Sequence, residues 1–75
     1  MAEPRLNPEF KPQADAYRDL AREAIESVAI YNARAQWFEL SGNRRLAEEY
    51  RQLSQEALAR AQRYKELADR ADKTA

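Results

Sequence analysis

Seventy-five residues with thirteen basic and thirteen acidic side chains, and with neither cysteine nor histidine, make one domain at most, without disulfides and without the usual ligands of a metal site. Zero formal net charge removes the long-range pull expected of a chain that grips nucleic acid or an anionic membrane. A core this small gives limited stability, so association with another chain is the expected further support.

The chain opens on MAEPRLNPEFKP, residues 1–12, which holds all three prolines, at 4, 8 and 12. Each removes a backbone donor and biases the preceding residue toward extended conformations. An extended arm is expected here, carrying the apolar Leu6 and Phe10. It lacks the apolar core of a signal peptide, and no stretch of the chain approaches the roughly 20 apolar residues of a membrane span. The expectation is a cytoplasmic or nuclear protein, cytoplasmic first, without a membrane partner.

From Gln13 to Ser41 there is neither glycine nor proline and alanine recurs, which predicts a first helix over about 13–41. Gly42 is the only glycine and suits the left-handed residue that closes a helix, while Asn43 suits the cap of the next one. A second uninterrupted stretch predicts a helix over about 44–72, supported by the i to i+4 pairs Glu56 with Arg60 and Glu66 with Arg70. A link as short as 42–43 forces the helices antiparallel. The predicted fold is therefore all-α: one helical hairpin over 13–75, of coiled-coil type, preceded by the arm.

An offset of 33 residues lays ADAYRDLAREAI, 14–25, over AEEYRQLSQEAL, 47–58, with six identities in twelve positions, and Tyr31 over Tyr64. One helix sequence used twice accounts for this. The stretch NARAQWFELSGNRRLAEEY also resembles a tetratricopeptide hairpin, with Ala35, Phe38, the turn Gly42, Ala47 and Tyr50 in the corresponding roles. That resemblance covers about a third of the chain and implies helix pairing, but the helices predicted here are about twice as long as such a repeat uses.

At 100° per residue Tyr17, Ala21, Ala24, Val28, Tyr31, Ala35 and Phe38 line one side of the first helix. On the second helix the apolar stripe reads Leu46, Tyr50, Leu53, Ala57, Ala61, Tyr64, Ala68 and Ala71. Antiparallel pairing in which residue numbers sum to about 81 sets Tyr17 against Tyr64, Tyr31 against Tyr50, Ala24 against Ala57, Val28 against Leu53 and Ala35 against Leu46. The first helix has a second apolar patch, Ile30, Ala33, Trp37 and Leu40, roughly opposite that seam. Covering its three large side chains is worth on the order of 5 kcal/mol, comparable to the stability of a small domain. These four residues are the expected partner-binding site.

Catalysis finds no support. The chain lacks the commonest general base and the commonest thiolate, its serines have no recognisable base, and Glu23 and Glu26 have no Glu-x-x-His partner for a di-iron site. One glycine cannot build a phosphate loop. No cofactor, metal or small-molecule substrate is expected. Arg34, Arg44, Arg45 and Arg51 near the turn are the candidates for contact with an anionic partner.

The leading expectation is a non-enzymatic protein–protein interaction or assembly module, a homodimer in which two hairpins complete a four-helix bundle through the Ile30, Trp37 and Leu40 side, or a hairpin that binds another protein. The alternative is a nucleic-acid-binding regulator, similar in architecture to the Rop type of plasmid-copy-number protein, a dimer of helical hairpins. That resemblance is one of shape, and such a function needs a basic stripe that a neutral chain does not readily supply.

Overall fold

The computed structural model describes residues 11–74. It is an all-α helical hairpin: α1 spans Lys11–Leu40 and α2 spans Arg44–Thr74, with no strand among the described residues. Most of the expected arm, including Leu6 and Phe10, lies outside them. The arm was expected to reach residue 12, but Lys11 and Pro12 belong to α1. A proline in the first turn forfeits nothing, because its missing N–H would have no intrahelical partner and its fixed φ already suits a helix. At the other boundaries α1 stops one residue before the expected Ser41 and α2 runs two residues past the expected 72.

The turn follows from two residues. Gly42 has φ 86°, a left-handed value open to glycine without the steric cost a Cβ imposes. Its N–H donates to the Glu39 carbonyl at 3.1 Å, and the Asn43 N–H donates to the Phe38 carbonyl at 2.8 Å, the paired bonds of a Schellman ending that satisfy the orphan carbonyls of α1. Asn43 then starts α2. Its Oδ1 accepts from the Leu46 N–H at 3.2 Å, and its carbonyl accepts from the Ala47 N–H at 3.1 Å, as an N-cap does.

Two helices side by side make a slab about 10 Å deep in Cα extent, so only the line along which they meet can be buried. Small residues fill that line. Ala14, Ala21, Ala24 and Ala35 of α1 and Ala47, Ala57, Ala61, Ala68 and Ala71 of α2 are buried together with Ser54. Among the described residues no large side chain is fully buried. Helices faced with alanine approach closely, and stability comes from backbone proximity and many small contacts more than from bulky side chains.

The tyrosines fix the register. Tyr17 stacks on Tyr64 with centroids 6.4 Å apart, and Tyr31 meets Tyr50 at 6.0 Å, the pairs expected from the sequence. Ala24 and Ala57, level with each other in that register, are both buried. The seam of α2 differs from expectation in its first half. Ala47 and Ser54 are the buried residues, whereas Leu46 is half-buried and Leu53 is 39% exposed. Ala47, Ser54, Ala61 and Ala68 recur every seven residues, and the contact selects this small-residue line because a leucine there would hold the backbones apart. Leu53 and Leu46, expected opposite Val28 and Ala35, thus sit beside the seam, and the next residues, Ser54 and Ala47, are the buried ones.

The internal repeat has a spatial counterpart. An offset of 33 converts the Tyr17–Tyr64 contact into the Tyr31–Tyr50 contact. It also converts the Arg18–Asp72 ion pair into the Arg51–Glu39 ion pair. The hairpin is thus related to itself by an approximate two-fold axis through the Ala24 and Ala57 layer.

Candidate docking surface

Around the seam, each helix shows a flank on either side and an outer edge behind. Residues immediately after the buried Ala24 and Ala57 are Ile25 and Leu58, which share one shallow groove with Ala21 and Ala61, rimmed by Arg18 and Lys65. Both interhelical ion pairs, Arg18–Asp72 and Arg51–Glu39, join helices on this broad face. It is closed at both ends by charge.

The opposite broad face is built from residues that immediately precede seam positions: Leu20, Leu46, Leu53 and Leu67, with Gln13, Ser27, Arg34 and Arg60 at the intervening steps of seven. No ion pair bridges the helices on this side among the described residues. The aromatic seam residues lean the same way. Phe38 stacks on Tyr50 with centroids 5.5 Å apart, Tyr50 meets Tyr31, and Trp37 packs edge-on against Phe38 at 4.9 Å. Arg34 lies over the Tyr50 ring at 6.0 Å, at the outer limit of a cation–π contact. Ala33, Arg34, Trp37, Phe38 and Tyr50 line one hollow.

The sequence-predicted patch is left uncovered by the hairpin. Trp37 is 62% exposed, Leu40 81% and Ile30 50%, and Ala33 is exposed. Its geometry divides in two. Ile30 and Trp37, seven residues apart, border the leucine face, while Ala33 and Leu40 sit on the outer edge behind the seam. Trp37 is thereby continuous with the interior through Phe38, a link that the sequence reading, which set it opposite the seam, did not show. The repeat marks the patch as peculiar to α1. The positions 33 residues on from Ile30, Ala33, Trp37 and Leu40 are Arg63, Glu66, Arg70 and Lys73, all charged and all exposed.

The four arginines near the turn are largely engaged within the chain. Arg51 pairs with Glu39, Arg45 lies 3.8 Å from Glu49, and Arg34 faces Tyr50. Arg44 makes no ion pair among the described residues. The expected helix-stabilising pairs Glu56–Arg60 and Glu66–Arg70 are not at ion-pair distance; Asp15–Arg18 at 3.0 Å and Asp19–Arg22 at 3.2 Å are. Exposed pairs of this sort are worth only a few tenths of a kcal/mol, so nothing holds long side chains to one arrangement. Among the described residues no group of carboxylates is arranged to hold a metal ion, and no helix is long and apolar enough to cross a membrane.

The leucine face is the element that sequence reasoning missed, because Leu46 and Leu53 had been assigned to the seam. The signal that finds it is the strict seven-residue recurrence of Ala47, Ser54, Ala61 and Ala68, which moves every leucine of α2's first half onto the flank. No family model matches this chain, and neither a curated protein nor a solved structure is significantly similar to it.

Proposed function

We propose that this hairpin is a small, non-enzymatic assembly module of the cytoplasm that acts by docking protein against its leucine face and the adjoining Ile30, Ala33, Trp37 and Leu40 patch. The carrying observation is where the large apolar side chains lie. The seam buries alanines, while Trp37, Leu40 and Ile30 are at least half exposed and Leu20 and Leu53 are each more than a third exposed. Exposed aromatics of this kind, joined to a packed interior, are the usual anchors of an interface. A second copy of the chain is the partner, so that two slabs make a four-helix bundle with their leucine faces inside.

Sedimentation equilibrium of the full chain tests this. The parent self-associates at micromolar concentration, and Trp37→Ala weakens association by roughly 2 kcal/mol while keeping most of the helix content. A parent that stays monomeric and well folded, or a mutant with unchanged association, overturns the reading.

A further inference from the structure

Self-association through the leucine face leaves open how the second hairpin is oriented, and the rim of that face settles a direction. Behind the leucines of α2, on the same side, stand Glu49, Glu56, Arg63 and Arg70 at successive steps of seven. All four are exposed. The half next to the turn is acidic and the half next to the open end is basic. Glu56, Arg63 and Arg70 make no ion pair among the described residues, and Glu49 reaches only Arg45 at 3.8 Å. This order of charge is complementary to its own reverse.

We propose that two copies of this chain pair through their leucine faces with turns at opposite ends, α2 lying antiparallel on α2. Glu49 then faces Arg70 of the partner subunit and Glu56 faces Arg63 of the partner subunit, twice over by symmetry. The same register sets Leu53 beside Leu67 of the partner subunit, so leucine layers alternate with ion pairs along the contact. Arg60 meets its own counterpart at the centre, between the two Glu56 carboxylates. Along α1, Leu20 meets Leu20 of the partner subunit on the two-fold axis.

The competing orientation, with both turns at one end, lays α2 over the partner's α1. The facing rim there is Ala16, Glu23, Ile30 and Trp37, and Glu56 comes level with a like-charged Glu23. Like charges facing across a helix contact cost stability and reject a register. Charge therefore selects the arrangement with turns apart, in which the cross-chain pairs of Glu49 with Arg70 and Glu56 with Arg63 outweigh the one Arg60 contact on the axis.

This inference rests on the assembly reading, and a charge-swap experiment separates the two. One variant carries Glu49→Arg and Glu56→Arg, the other Arg63→Glu and Arg70→Glu. All four sites are exposed, so each variant should fold as the parent does, checked by circular dichroism. Each alone should self-associate at least about tenfold more weakly than the parent. An equimolar mixture should recover a dimer containing one of each, read by native mass spectrometry and sedimentation. A parent that dimerises, with a mixture no tighter than either variant alone, overturns the orientation and leaves the assembly reading standing. A parent that is monomeric at about 100 µM overturns both.

Discussion

At positions 24 and 57 the two helices carry alanine, both buried, whereas at 37 and 70, equally 33 residues apart, one carries an exposed tryptophan and the other an arginine. The first comparison samples the seam, where each copy of the repeat is the other's partner. Any change there must suit both helices, and small side chains, stacked tyrosines and crossed ion pairs recur in pairs. The second samples surface that the hairpin does not use on itself. There α1 has become apolar at Ile30, Ala33, Trp37 and Leu40 while α2 is charged at Arg63, Glu66, Arg70 and Lys73. Agreement between repeat halves thus maps what holds the hairpin together, and disagreement maps what it shows to others.

The largest effects are expected where the halves agree. Ala24→Leu and Ala57→Leu each force a bulky side chain between close-packed backbones and should cost about 2–3 kcal/mol in urea unfolding. Because the approximate two-fold passes through this layer, the two costs should match closely. A loss below about 0.5 kcal/mol at either site would mean that the layer is loosely packed and the symmetry superficial.

A smaller effect should separate tyrosines that the repeat equates. Among the described residues Tyr17 touches one ring, Tyr64, whereas Tyr50 touches both Tyr31 and Phe38 and sits beneath Arg34. Tyr50→Leu should therefore cost about 1 kcal/mol more than Tyr17→Leu in thermal or urea unfolding. Equal costs would show that the aromatic cluster at the turn adds nothing beyond burial of its area.

The smallest effect belongs to the symmetric ion pairs. The side chains of Arg18 and Asp72 are 46% and 47% exposed, and those of Arg51 and Glu39 are 46% and 50% exposed. Arg18→Ala and Arg51→Ala should each cost less than about 1 kcal/mol, and the cost should shrink further in about 1 M salt. A cost that survives high salt would assign these arginines a packing role through their aliphatic stems.

Much of this fold was legible in the sequence, for identifiable reasons. An uninterrupted alanine-rich stretch leaves a chain little choice but helix, and Gly42 followed by Asn43 marks both sides of the turn with residues that each have a specific backbone role. The tyrosine pairs followed from periodicity alone. Leu46 and Leu53 misled because hydropathy ranks leucine above alanine, whereas a two-helix contact with nothing above or below it selects for size. Arg18–Asp72 and Arg51–Glu39 were not legible, since long flexible side chains meet only once the register is set. Of the candidate site, the exposure of Trp37 and Leu40 could be read from their angular position. The contact of Trp37 with Phe38 could not, because it depends on how far the ring swings toward the seam.

The tight turn at Gly42 gives the two ion pairs unequal histories, though they are alike as finished contacts. Glu39 and Arg51 lie on either side of the turn, so bringing them together closes only a short loop, while Arg18 and Asp72 are separated by 54 residues. The entropy of closing a flexible segment grows with the logarithm of its length, and between these two loops the difference is roughly 1.3 kcal/mol. That penalty falls on the open end unless the turn end forms first and shortens the loop still to be closed. Symmetric in its contacts, the hairpin is unequal in the entropy of making them, and loop closure favours the Gly42 end over the open end.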